Sequence, residues 1–182
     1  MPLASSDRPA TPGITIRPER PTDAPAVADL LEQAFGGTGE VNLVAALRRQ
    51  AAVTVALVAL VNAQVVGHIL FSPVTLEVDP AYAKAVALAP LAVLPGYQRQ
   101  GIGGQLIQAG LVACREAGYA LVVVLGHPDY YPAYGFQPAK QYDLTCAYVP
   151  PDDDAFMVQE LQPGALAGRH GQVTFHPEFD RV

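Results

Sequence analysis

Between residues 98 and 104 the chain runs Gln98-Arg99-Gln100-Gly101-Ile102-Gly103-Gly104, and Leu106, Ile107, Leu111 and Val112 then recur at helical spacing. Glycines that open a helix leave backbone N–H groups without intrahelical partners and let an anion come close to them. The helix dipole favours the anion's charge. The chemistry on offer is therefore anion binding. Two phosphate-binding patterns do not fit. Gly96 to Gly101 has the spacing of the loop in nucleotide triphosphatases, but Ile102-Gly103 stands where Lys-Ser/Thr is required. Gly101-x-Gly103 lacks the third glycine of the dinucleotide fingerprint, whose place Leu106 takes. A mononucleotide is accordingly disfavoured as ligand.

The elements that must position this loop are legible on either side of it. Val86 to Leu94 is almost unbroken apolar sequence, too short for a helix and interrupted by Pro90, which predicts a core strand with a bulge. After the loop comes a helix closed near Gly118, then a buried strand at Ala120 to Leu125, so strand, crossover helix and parallel strand form a βαβ unit. Upstream, Ile14 to Arg17 alternates as a first strand. Thr22 and Asp23 are N-cap candidates for a helix whose stripe is Val27, Leu30, Leu31, Ala34 and Phe35. A second helix starts at Glu40, with Val41, Val44 and Leu47 inward. Val53 to Val61 and Val65 to Val78 read as strands around an Asn62-Ala63-Gln64 turn, the second broken at Ser72-Pro73, with Asp79 to Lys84 a loop. Further strands are expected near Tyr142 to Tyr148, Phe156 to Leu161 and Gln172 to Phe175. The whole predicts a mixed central β-sheet with helices on both faces, an α/β (α+β) layer fold.

The chain has 182 residues, 51% apolar and 15% charged, which suits one globular domain over residues 13–182 behind a polar lead at 1–12. No apolar run of membrane-spanning length is unbroken, and the lead has no apolar signal core, so neither a membrane nor export is expected and the cytoplasm is the default compartment. The net charge of −6, with no basic run, argues against a nucleic-acid partner. Two cysteines, Cys114 and Cys146, are too few for a disulfide framework or zinc site, and no metal site is expected around Asp152-Asp153-Asp154.

Gln98-x-x-Gly101-x-Gly103, preceded by a strand ending Leu91-Ala92-Val93, resembles the acetyl-CoA signature of the GCN5-related N-acetyltransferases. A second stretch, Tyr130-Tyr131-Pro132-Ala133-Tyr134-Gly135-Phe136, resembles that family's F-Y-x-x-x-G-F segment. The phrases GHILFSPV, LAPLAVLPGYQRQGIG, VVVLGHPDYYPAYGF and PGALAG…HPEFD are together similar to its YhbS-type branch, over about Ile14 to Asp180. The resemblance implies the acyl-CoA N-acyltransferase fold and an acetyl-CoA cosubstrate. It also implies that Gln98, Arg99, Gln100, Gly101, Ile102, Gly103 and Gly104 cradle the coenzyme pyrophosphate while Leu91, Ala92 and Val93 pair with the pantetheine arm. Tyr131 takes the place of the tyrosine that protonates the leaving thiolate. One departure is that Val124-Leu125 stands where many relatives carry a cofactor-contacting asparagine.

Amide formation from a thioester needs a neutral amine, a polarised carbonyl and a proton for the sulfur. An alkylamine with pKa ~10.4 arrives protonated and needs a base or a water relay, whereas a phenol with pKa ~10 is a proton donor at neutral pH. Glu77, Asp79 and His127 are base candidates, but a water relay is preferred to any of them. His68, in a buried strand, reads as a satisfied core histidine. Tyr130 and Tyr134 read as core packing, and Glu40 and Asn42 either as substrate contacts or as ordinary first-turn residues. The expected function is acetyl transfer from acetyl-CoA to a primary amine of a small molecule or protein, the alternative being a non-catalytic acyl-CoA-binding module. The resemblance also allows a homodimer through the late strands.

Overall fold

The computed structural model describes residues 13–77 and 84–182. The predicted 1–12 lead, Val78, Asp79 and most of the loop at 79–84 lie outside the described residues. In chain order the elements are β1 (Ile14–Pro18), α1 (Ala24–Phe35), α2 (Gly39–Arg49), β2 (Val55–Val61), β3 (Gln64–Leu76), β4 (Ala85–Val93), α3 (Ile102–Glu116), β5 (Leu121–Leu125), β6 (Gln137–Pro138), β7 (Leu144–Cys146), β8 (Phe156–Glu160) and β9 (Gly171–Thr174). Strands run in the order β1-β2-β3-β4-β5-β8-β6, and β9 joins the far end of β3 and pairs with β7. Along the main path every pairing is antiparallel except β4 with β5, the two strands that α3 connects.

The layers follow from strand alternation, since successive side chains point to opposite faces. From the β3–β5 centre, Ile69, Phe71, Val86, Leu88, Val122 and Val124 meet Ile102, Leu106, Ile107 and Cys114 of α3. On the other face Val58, Leu70 and Ala92 meet Val27, Leu30, Leu31, Val44 and Leu47 of α1 and α2. Farther along that sheet, Ala87, Leu121, Val123 and Val158 pack with Leu166, Val173 and Phe175 of the C-terminal segment. Because β5 is covered on both faces, its sequence Leu121-Val122-Val123-Val124-Leu125 does not alternate with polar residues.

The bulge predicted at Pro90 is present. Ile69 opposes Leu91 and Phe71 opposes Leu88, so Ala89 and Pro90, joined by a cis peptide, share the place opposite Leu70. The predicted break at Ser72-Pro73 is absent, and β3 continues to Leu76. The Phe71 carbonyl accepts from the Thr54 N–H on the β2 side. Pro73 faces the same way two residues on, beyond the end of β2, so its missing donor costs no ladder bond. The first helix starts where expected, with Asp23 at its N-cap position and Pro25 in its first turn, but the Asp23 side chain makes no cap bond to it. Pro21–Asp23 is a 3-10 turn, and the Asp23 carboxylate binds the Arg20 N–H and Arg17 instead of α1.

Candidate active site

The site opens where the two central parallel strands part. β4 and β5 pair only through Ala85–Leu121, Val86–Val122 and Ala87–Val123. Beyond that point the bulge turns β4 aside while β5 stays with β8 as far as Leu125. A crevice of about 1150 Å³ fills the gap, with Leu88 to Leu91 on one wall and Leu125, Gly126 and His127 on the other. On the crevice side the β4 edge past Ala87 has no strand partner among the described residues, so its backbone groups remain open to a ligand.

The glycine loop closes one end of this crevice. Pro95–Tyr97 is a single 3-10 turn, and the Gln98 side chain reaches back from it to donate to the Val93 carbonyl (3.1 Å), tying the loop to the end of β4. Arg99 (φ 60°) and Gly101 (φ 81°) are both left-handed. Glycine is the residue that takes that conformation without a Cβ penalty, and Gly101 is the N-cap of α3. The first helical amide with an intrahelical acceptor is Gln105, bonded to the Gly101 carbonyl (3.1 Å), so those of Ile102, Gly103 and Gly104 come before the ladder begins. Arg99, the sole cation of the loop, lines the crevice with Gln98, Gly101, Ile102, Gly103 and Gly104.

Of the residues that the sequence singled out, Leu91, Val93, Gln98, Arg99, Gly101 to Gly104 and Tyr131 meet at this crevice. Two do not. The Ala92 side chain is buried against the α1 layer, leaving only its backbone to serve the site, and the Gln100 amide donates to the Gly96 carbonyl (3.2 Å).

Tyr131 begins a 3-10 turn (Tyr131–Tyr134) that Gly135 ends in a left-handed conformation (φ 94°), turning Phe136 into the core. Its ring lies on the Gly126 backbone, where a Cβ would come within 2.4 Å of it, and packs edge-on to Phe136 with centroids 5.5 Å apart. Burial, with a smaller contribution from Tyr134, pushes the phenol up to about 12, so Tyr131 is an uncharged donor throughout the ordinary pH range.

Tyr130 is not the core residue expected, whereas Tyr134 does pack, partly buried, against the core cluster. Both line the crevice, and Tyr130 is 37% exposed. Their hydroxyls lie over the start of α3, 2.7 Å and 2.5 Å from where Cβ atoms on Gly103 and Gly104 would be. Burial foremost, then Tyr134, raises the Tyr130 phenol further still. The sequence signal was present: three tyrosines in five positions around a proline turn cannot all point inward.

The base candidates separate. His127 lines the crevice. Glu77 is exposed beyond the end of β3 and does not, and Asp79 lies outside the described residues. His68 is fully buried in the α1–α2 layer, its Nε2 2.9 Å from Glu19 Oε2, while its Nδ1 has no partner among the described residues. It is a core histidine only half satisfied. Glu40, which the sequence left between two roles, lines the crevice, whereas Asn42 does not. Among the described residues no group of three His, Cys, Asp or Glu side chains is arranged to hold a metal, and no helix is long and apolar enough to cross a membrane.

Residues 15–139 match the family model described as an acetyltransferase (GNAT) domain. The chain is 41% identical over 167 residues to the uncharacterized N-acetyltransferase YhbS of Escherichia coli, covering 91% of this chain and 98% of that protein. A crystal structure of E. coli YhbS in complex with CoA superposes with a TM-score of 0.87 at 38% identity, covering 94% of each chain. A GNAT family acetyltransferase from Brucella melitensis, in complex with acetyl-CoA, gives a TM-score of 0.76 at 35% identity over 93% of this chain and all (100%) of that one.

Proposed function

The chain belongs to the GNAT acetyltransferase family, and from that premise we propose that it transfers acetyl from acetyl-CoA directly to a primary amine of a small molecule or protein. It is an acetyl-CoA-dependent N-acetyltransferase with CoA-bound relatives of the same fold. The observation that carries the direct-transfer reading is the opening between β4 and β5. One continuous crevice holds an unpaired strand edge, a helix N-terminus with free amides, and a neutral phenol.

In this assignment the amides of Ile102, Gly103 and Gly104, with Arg99, hold the pyrophosphate, and Gln98 fixes the loop that presents them. The open edge of β4 around Leu91 to Val93 lies along the pantetheine arm, and a backbone N–H there donates to the acetyl oxygen as charge builds on it. The ammonium of the acceptor sheds a proton to water, and its nitrogen lone pair attacks the thioester carbon. The C–N bond forms, the second nitrogen proton is lost, and the C–S bond breaks. Tyr131 donates a hydrogen bond to the departing sulfur, which ends as a thiol by taking up one of the two protons. The net products are the amide, CoA and one proton.

Calorimetric titration with acetyl-CoA, with ATP as control, tests the loop assignment. Saturable binding of acetyl-CoA alone is expected, and no binding by the folded protein overturns it. Retained binding with no turnover of any amine would favour a non-catalytic acyl-CoA-binding module.

A further inference from the structure

We propose that the acceptor is an aryl-alkyl primary monoamine, one ammonium group on an aromatic or bulky apolar body, seated between Glu40 and a wall formed by Tyr148, Phe175 and Phe179. This rests on the acetyl-transfer function above and names the substrate class of the same site.

Besides the glycine loop and the strand walls, the crevice is lined by Phe35, Leu43, Tyr148, Phe175 and Phe179, with Glu40 among them. Phe35 closes α1 and is 45% exposed, and Tyr148 is 39% exposed, so large aromatic surface faces the crevice uncovered. The wall is held in shape. Tyr148 and Phe175 meet edge-on at 5.4 Å and 88°, and Phe175 and Phe179 at 5.4 Å and 71°. The Tyr148 hydroxyl donates to Asp180 Oδ1 at 2.7 Å, which fixes the ring and occupies that carboxylate.

Charge then selects among amines. Glu40 is the single carboxylate side chain among the described lining residues, half-buried in the first turn of α2, and it pairs with no cation among them. One free carboxylate matches one ammonium. A polyamine or a sugar bearing several amines would bring further charges against the aromatic wall with no second carboxylate side chain among the described lining residues to meet them, and desolvating an unpaired charge is costly. A peptide acceptor would press its backbone amides against the same apolar surface. An aryl-alkyl monoamine satisfies both halves, with its ammonium at Glu40 and its ring against Phe175. Transfer balances as before: the ammonium loses two protons, a C–N bond replaces the C–S bond, and the sulfur regains one proton.

The test is thiol release by the full chain with acetyl-CoA and a panel of 2-phenylethylamine, propylamine, spermidine, an aminoglycoside and a lysine-containing peptide. Acetyl-CoA binding is measured by calorimetry on the same sample. The expected result is a kcat/KM for 2-phenylethylamine about tenfold or more above every other amine, as burial of a ring and one charge-assisted contact would give. Glu40→Gln should raise its KM about tenfold with kcat little changed, the mark of lost ground-state binding. Phe35→Ala should weaken 2-phenylethylamine while leaving propylamine unaffected. Both positions are part-exposed, so the variants should fold. Preference for spermidine, the aminoglycoside or the peptide overturns the substrate class, as does an unchanged KM in Glu40→Gln or no turnover of any amine while acetyl-CoA binds. In each of those cases the coenzyme assignment stands. Absence of acetyl-CoA binding overturns the function and the substrate class with it.

Discussion

At the level of single residues, the burial of Tyr131 sets how much it contributes. A phenol at about 12 lies well above a thiol, whose ordinary pKa is ~8.5, so complete proton transfer to the free thiolate is uphill. In the proposed mechanism its use is as a hydrogen-bond donor to charge that develops as the C–S bond breaks. Tyr131→Phe keeps the ring on Gly126 and removes only that donor, so kcat should fall roughly tenfold to a hundredfold while acetyl-CoA affinity changes little. Single-turnover rates and a binding titration separate the two, and equal rates in variant and wild type would remove Tyr131 from the mechanism. Because the phenol stays protonated to about 12, the wild-type pH–rate profile should show no descending limb from this group below pH 11 or so. Gly103 makes a second case. A side chain there would cover the helix-terminal amides and also meet the Tyr130 hydroxyl, 2.7 Å from the Cβ position. Gly103→Val should reduce acetyl-CoA binding below detection in a titration that saturates for wild type, with the melting temperature reporting that the variant is folded. Unchanged affinity would count against the cradle.

Among the elements, the entry to α1 depends on one ion pair. Arg17 donates from both terminal nitrogens to the Asp23 carboxylate at 2.6 and 2.9 Å, and the Arg20 N–H adds a third bond at 2.7 Å. These hold the Asp23 carboxyl down to about 2. A folded-state pKa below the unfolded one means that the folded form favours the ionised carboxylate, so the stabilisation is present above about pH 4 and lost as the pH falls toward 2. Asp23→Asn should therefore melt a few degrees lower than wild type at pH 7, with the gap closing between pH 4 and 2. A constant gap across that range would assign the effect to packing. Glu19 follows the same sign. Burial pushes its carboxyl up, but the hydrogen bonds and electrostatic attraction of His68 and Arg48 outweigh it. Elements of this kind were legible where local rules act alone. The βαβ unit, the glycine-loop helix and the Ala89-Pro90 bulge each declare themselves within about a dozen residues, through period, punctuation and a missing donor. What was not legible depends on partners far along the chain. Whether Pro73 breaks β3 is decided by where β2 ends, and the placing of the Tyr130 and Tyr134 hydroxyls over the start of α3 by how closely that helix approaches. Phe35, Tyr148, Phe175 and Phe179 share no local pattern, and only the finished fold brings them to one crevice.

For the molecule as a whole, the continuity of the crevice and the state of its thiols decide the order of chemical events. Acetyl could pass through the enzyme only by way of a nucleophile on it. Cys114 is fully buried in the α3 layer, where desolvation pushes its thiol up to about 12, and Cys146 is buried between β7 and its neighbours. Neither lines the crevice, and an enclosed thiol is a poor nucleophile. The glycine loop and the Glu40 end instead open into one space, so cosubstrate and amine can be bound together and react without an intermediate on the protein. Initial rates measured while both substrates are varied should give intersecting double-reciprocal lines, the pattern of a ternary complex. Intact mass after incubation with acetyl-CoA alone should show no acetyl adduct. Parallel lines, or an adduct that an added amine discharges, would demand a covalent route. Cys114→Ser and Cys146→Ser would then show whether either thiol carries it; under direct transfer both variants, where they fold, should keep the kcat of the wild type.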